Sequence, residues 1–160
     1  MTRNYRESYG IFACNGILFN HESPRRGETF VTRKITRGLA RIKLGKDKKL
    51  YLGNLEAKRD WTDVRDVVRG YLLALRKGVS GEVYNICSEK TISVKEMLDI
   101  LLKFSKVKVK IRQDPQRMRP SDVQVLLGDC SKFRKITGWK PQIPFEKTME
   151  DLLNYWRERV

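Results

Sequence analysis

The segment Ile11-Phe12-Ala13-Cys14-Asn15-Gly16-Ile17-Leu18-Phe19 constrains this chain most. It is apolar at odd and even positions alike, so as a strand it has no face to turn to water. Such a strand belongs deep in a parallel sheet, with neighbours on both sides. Gly81-Glu82-Val83-Tyr84-Asn85-Ile86-Cys87 is a second strand of the same kind. Parallel partners arrive through crossover helices, and neither segment has an evident parallel neighbour elsewhere in the 160 residues. The expected class is α/β, with an N-terminal portion of the sheet missing.

Helical patterns surround these strands. Tyr5 to Tyr9 has the form of a last helical turn closed by Gly10. Phe30 to Leu44 places Phe30, Ile35, Leu39 and Ile42 on one side. Leu50 to Asn54 is a short strand. Asp63 suits the N-cap of a helix from Val64 to Lys77, with Val67, Val68, Tyr71, Leu72 and Leu75 as its apolar stripe. Ser93 with Glu96 forms a capping box for a further helix. Val107 to Ile111 alternates as a strand, Ser131 to Thr137 is a short helix before Gly138, and Phe145 to Arg159 is an amphipathic helix. Trp61, Trp139 and Trp156 are expected in the core or at its edge rather than as stacking platforms.

With 40% hydrophobic and 33% charged residues, the composition is that of a soluble globular protein. No apolar run is long enough to span a bilayer, and the first residues do not form a signal peptide. Cys14, Cys87 and Cys130 are odd in number and widely spaced, which predicts reduced thiols in a cytoplasmic protein and no metal site. The net charge of +15 admits nucleic acid, phosphorylated small ligands or solvated lysine. Lys103, Lys106, Lys108 and Lys110 suit the solvated face of a strand. No zinc-finger, helix-turn-helix or RNP-like pattern accompanies the charge, so a basic nucleic-acid-binding module remains an alternative without a motif behind it.

Chemistry concentrates in residues 19–34. The only histidine, His21, follows the apolar strand directly, at the carboxyl end where open α/β sheets bind ligands. A hydrogen-bonded structural histidine is the plain alternative. Glu22 could act as a general base, but no partner nucleophile or metal ligand accompanies it. Arg25, Arg26, Arg59 and Arg119 lie in or beside turns, where guanidinium forks can converge on a diphosphate; the alternative is a set of solvated, carboxylate-paired arginines. Asp122 could pair with Arg119 or accept from a base or ribose, and Lys34 sits off the apolar stripe of its helix.

Asn15-Gly16-Ile17-Leu18-Phe19-Asn20-His21-Glu22-Ser23-Pro24-Arg25-Arg26-Gly27 and Phe30-Val31-Thr32-Arg33-Lys34-Ile35 closely resemble the GDP-mannose 4,6-dehydratases, lyases of the extended short-chain dehydrogenase/reductase family. The resemblance continues through Leu52-Gly53-Asn54-Leu55-Glu56-Ala57-Lys58-Arg59-Asp60-Trp61. It returns at Arg119-Pro120-Ser121-Asp122-Val123, Leu127-Gly128-Asp129-Cys130 and Gly138-Trp139-Lys140-Pro141. It implies the C-terminal half of such an enzyme: the end of the Rossmann-like parallel sheet plus the smaller substrate-binding lobe. Residues 1–22 would be a remnant of the nucleotide-binding sheet and 23–160 the sugar-nucleotide-binding portion, with 81–87 a strand returning to the sheet.

The family's Gly-x-x-Gly-x-x-Gly loop, active-site Thr and Glu, and Tyr-x-x-x-Lys pair are not matched, so no catalytic residue is carried over. By the resemblance, the chain begins just past that lysine. His21 and Arg26 would contact NADP, with the Arg25-Arg26-Gly27 arm reaching toward a neighbouring subunit. Asn20, Lys34, Arg59, Arg119 and Asp122 would hold the GDP moiety; Asp122 stands where the family usually has Glu. The resemblance implies NADP-dependent conversion of GDP-mannose to GDP-4-keto-6-deoxymannose in the complete enzyme, with a homo-oligomer or a complementary N-terminal half as partner. The alternative within the family is the reductase of the 4-keto product.

Overall fold

The structure, a computed structural model, describes residues 1–117 and 123–160. In chain order the elements are α1 (Thr2–Tyr9), β1 (Asn15–Leu18), β2 (Asn20–Glu22), α2 (Val31–Lys43), β3 (Lys49–Leu52) and β4 (Lys58–Asp63). There follow α3 (Val64–Lys77), β5 (Val83–Ile86), β6 (Thr91–Ser93), α4 (Val94–Ser105), β7 (Lys110–Gln113), a 3-10 turn (Pro115–Arg117), β8 (Val125–Leu126), α5 (Ser131–Thr137) and α6 (Phe145–Arg157). Four of the pairings are parallel: β1 with β5, β2 with β4, β3 with β7, and β8 with β4; β6 joins β4 antiparallel.

Local chemistry explains most boundaries. Gly10 and Gly138 end α1 and α5 in the left-handed region, at φ 63° and 72°, where a Cβ would be strained. The Asp63 carboxylate accepts the Arg65 N–H at 2.9 Å and so caps α3. Ser93 and Glu96 form the full reciprocal box at the start of α4.

Two apolar clusters result. One packs α2, α4 and α6 over β3 and Trp61, with Ile35, Leu39, Met97, Leu101, Met149 and Leu153 fully buried. In it the buried Arg33 guanidinium lies 4.3 Å from the Trp156 ring and 4.8 Å from that of Tyr155. The other joins Val67, Tyr84, Ile86, Phe133 and Trp139 with two of the three free cysteines, Cys87 and Cys130. All three tryptophans are thus core residues.

Four expectations are corrected. Of the apolar segment 11–19 only Asn15–Leu18 is strand, and Ile11, Phe12 and Ile17 are 47%, 45% and 51% exposed. Its sole strand partner among the described residues is β5, and only part of the segment is covered: Cys14, Leu18 and Phe19 pack on the core, while Ile11, Phe12 and Ile17 do not. The buried face of α3 is not the expected stripe, since Val68, Tyr71, Leu72 and Leu75 are exposed. Val67 and Gly70 turn inward instead, because the Trp139 indole N–H donates to the Asp66 carbonyl at 3.0 Å and Gly70 admits Ile86 and Trp139 at close range. Lys103, Lys106, Lys108 and Lys110 do not share a strand face. Lys103 lies in α4, Lys106 ends that helix at φ 53°, and β7 starts only at Lys110, while Val107 and Val109 pack on the core. Phe30, finally, stands at the N-cap of α2, half exposed, rather than in that helix's buried stripe.

Burial pushes the Asp63 carboxyl up, but hydrogen bonds from Arg65 and from Thr148 outweigh it and hold the carboxyl below its ordinary value. A pKa lowered by folding contributes stability that is full at neutral pH and fades as pH falls through the folded value. Asp63→Asn is therefore expected to cost about 1–2 kcal/mol at pH 7 and to flatten the loss of stability between pH 6 and pH 2. Urea unfolding followed by tryptophan fluorescence checks this; equal acid losses in both proteins would contradict it.

Candidate functional site

The strand ladder changes hands around Phe19 and Asp60, and that change opens the surface. β1 runs beside β5 as far as Leu18, whereas β2 runs beside β4 from Asn20. β4 in turn pairs with β8 at Lys58 and Arg59 and with β2 from Trp61. Where neighbouring strands part at their carboxyl ends, a crevice forms that ligands can enter.

Two clefts lie there, sharing Asn20, Arg26 and Phe30 as a common wall. The larger, about 500 Å³, is bounded by Lys34 of α2, Tyr51 and Leu52 of β3, the turn at Gly53 and Asn54, and Arg59 and Trp61 of β4. The smaller, about 420 Å³, is bounded by Leu18, Phe19, His21, Ser23, Arg25 and Leu126. Asn20, Arg26, Lys34 and Arg59, expected from the sequence to hold ligand, therefore meet in the first cleft, and His21 joins Asn20 and Arg26 in the second. Arg119 and Asp122 lie outside the described residues.

The shared wall is held from within. Arg26 Nη1 donates to Glu22 Oε1, Arg26 Nη2 donates to Asn20 Oδ1 at 3.1 Å, and the guanidinium lies 4.1 Å from the Phe30 ring centroid. Thr32 Oγ1 donates to Glu22 Oε2 at 2.5 Å. Glu22 is fully buried; burial pushes its carboxyl up, and Arg26 and Thr32 only partly offset that. Its environment makes it an anchor for the turn rather than a solvent-reaching base. His21 Nδ1 lies 3.0 Å from the Phe19 carbonyl, so in the neutral ring it donates there and Nε2 is the nitrogen left for a ligand. Arg59 Nη1 donates to the Lys58 carbonyl at 2.8 Å, which holds the head of this side chain at the cleft.

The aromatic walls escaped the sequence reading. Trp61 is both core and cleft, stacked on Phe145 at 5.5 Å between centroids. Tyr51 faces out between buried Leu50 and Leu52; the alternation Leu-Tyr-Leu is the signal that could have found it. Chemically, the first cleft combines two aromatic surfaces with three cations, a set suited to a flat base and a diphosphate. Among the described residues no cluster of His, Cys, Asp and Glu could hold a metal ion, and no helix is long and apolar enough to cross a membrane.

Comparison with known proteins agrees in extent and kind. The family model described as GDP-mannose 4,6 dehydratase matches residues 1–152. GDP-mannose 4,6 dehydratase 2 of Arabidopsis thaliana is 49% identical over 99% of this chain and 44% of its own length. A GDP-mannose 4,6-dehydratase of Vibrio cholerae is 44% identical over 93% of this chain and 49% of its own. The chain thus spans somewhat under half the length of these curated relatives. The solved structure described as RMD from Pseudomonas aeruginosa complexed with NADPH superimposes with a TM-score of 0.94 at 31% identity, covering 99% of this chain and 53% of that one. The α/β architecture is that of the extended short-chain dehydrogenases/reductases, and the chain belongs to the GDP-mannose 4,6-dehydratase family.

Proposed function

We propose that this chain supplies the sugar-nucleotide-binding part of an NADP-dependent GDP-mannose 4,6-dehydratase. The observation that carries this reading is the convergence of Asn20, Arg26 and Lys34, from the β2–α2 stretch, with Arg59 of β4, on one cleft walled by Tyr51 and Trp61. Lys34 and Arg59 grip the diphosphate, and the aromatic walls and Asn54 take the base and ribose. Arg119 and Asp122 act with them by the family pattern. The match of residues 1–152 to the dehydratase model favours dehydratase over the related reductase.

The smaller cleft takes one end of the cofactor. Its polar groups fit a phosphorylated dinucleotide in kind: His21 Nε2 as an acceptor for a ribose hydroxyl, the Asn20 amide, and the cationic Arg25 and Arg26. When bound, the nicotinamide supplies hydride transfer to and from the sugar. The residues of this chain bind and orient the two ligands side by side, and the Glu22–Arg26 pair keeps their common wall in place. Residues 1–22 with 81–87 belong to the nucleotide-binding sheet, and 23–160 form the sugar-nucleotide portion. The working enzyme is cytoplasmic and combines this portion with the cofactor-binding half of the fold, as a homo-oligomer or as complementary halves.

Two outcomes are expected. GDP binding, followed by isothermal titration, should weaken about tenfold or more in Lys34→Ala and in Arg59→Ala, each losing a charge-assisted phosphate contact of roughly 1.5–3 kcal/mol. Unchanged affinity in both would contradict the assignment of the cleft. The 160 residues by themselves, supplied with NADP and GDP-mannose, should form no 4-keto product detectable by mass spectrometry; turnover at a measurable rate would overturn the binding-only role.

A further inference from the structure

The clefts use few of the chain's cations, and six of the remainder gather at one end of the β3–β7 ribbon. Parallel pairing puts the leading ends of both strands together, with Lys49 directly opposite Lys110 and Tyr51 opposite Arg112. Lys46, Lys48 and Lys49 lead into β3, and Lys106, Lys108 and Lys110 lead into β7; all six are exposed. Like charges facing each other across a ladder oppose pairing. The one carboxylate in either segment, Asp47, is bound to Arg41 at 2.6 Å. Among the described residues, none of the six lysines, nor Arg112, makes an ion pair. What keeps the ribbon formed is its other face, where Leu50, Leu52 and Ile111 join the core.

We propose that the outer face of the β3–β7 ribbon binds the phosphate backbone of a single-stranded nucleic acid, on a surface that adjoins the sugar-nucleotide cleft and shares Tyr51 with it. Rungs two residues apart are separated by roughly 6.6 Å along a strand, a step that successive phosphates of an unstacked strand can follow. The Lys49–Lys110 rung takes one phosphate and Arg112 the next, while Tyr51, 45% exposed, offers a ring on which a base can stack. A single strand is favoured over a duplex because only an unpaired, unstacked base can lie on the exposed Tyr51 ring. An anionic bilayer is disfavoured because Leu44 is the only exposed aliphatic side chain in the adjoining turn.

Fluorescence anisotropy of the 160-residue chain with a labelled 20-nucleotide oligothymidylate tests this. The double variant Lys49→Glu/Lys110→Glu should bind at least tenfold more weakly. Its slope of log affinity against log salt should be shallower by about 1.4, two contacts at roughly 0.7 each. Tyr51→Ala should weaken binding at least fivefold. The control Lys135→Glu/Lys140→Glu, with the same net charge, should lose less than threefold, and GDP affinity should be retained in Lys49→Glu/Lys110→Glu. Absence of binding by the unaltered chain would overturn the assignment. So would equal losses in ribbon and control variants, equal binding to a duplex of the same length or to phosphatidylserine vesicles, or loss of GDP binding with the ribbon cations.

Discussion

The buried carboxylate of Asp60 is the interaction on which the rest of the site depends. It sits fully enclosed in β4, at the point where that strand exchanges β8 for β2. It accepts the Ser88 N–H at 2.7 Å, the Ser88 hydroxyl at 2.6 Å, the Glu89 N–H at 2.9 Å and the Gly128 N–H at 3.4 Å. One side chain thereby ties β4 to the loop after β5 and to the segment after β8. The buried carboxylate left without these donors would cost several kcal/mol, since a lost hydrogen bond to a buried charge costs about 1–3 kcal/mol or more. Gly128 is required in this arrangement, because a Cβ there would fall 2.5 Å from Cys87 Sγ and 2.7 Å from the Phe19 ring. On either side of Asp60 in the strand, Arg59 and Trp61 are delivered to the cleft.

A second carboxylate does for the entry turn what Asp60 does for the sheet. Glu22 is inaccessible to water, yet it holds Arg26 and Thr32, and Arg26 in turn holds Asn20 and covers Phe30. The wall between the clefts is therefore a network whose members satisfy one another before any ligand arrives. Such pre-ordering suits the proposed placing of two anionic ligands side by side, since less side-chain freedom is lost on binding.

The legibility of the molecule in its sequence was uneven, and the reasons are physical. Caps were readable because they depend on neighbours a few residues apart: Asp63 with Arg65, Ser93 with Glu96, Gly138 after Thr137. The crowding of cations at 19–34 was readable because they follow one another closely in the chain behind an apolar strand, and the structure brings Asn20, Arg26 and Lys34 to one cleft. The inward face of α3 was not readable, since it is chosen by Trp139, distant in the chain, and by the tolerance of Gly70 for close packing. Nor was the exposure of Ile11, Phe12 and Ile17, because periodicity reports what a strand could bury and not what is there to cover it. The lysines at the ribbon end were visible only as charge, since their grouping follows from the register of β3 on β7.

The central claim is that the cleft between α2, β3 and β4 binds the nucleotide end of a GDP-sugar. The three tryptophans report on it independently, because Trp61 lines the cleft while Trp139 and Trp156 are buried elsewhere in the core. The most direct measurement is the indole N–H region of a 1H–15N correlation spectrum during titration with GDP. The account predicts that the Trp61 resonance shifts with saturation while those of Trp139 and Trp156 hold still. A Trp61 resonance unmoved at saturating GDP, or shifts confined to the other two indoles, would contradict it.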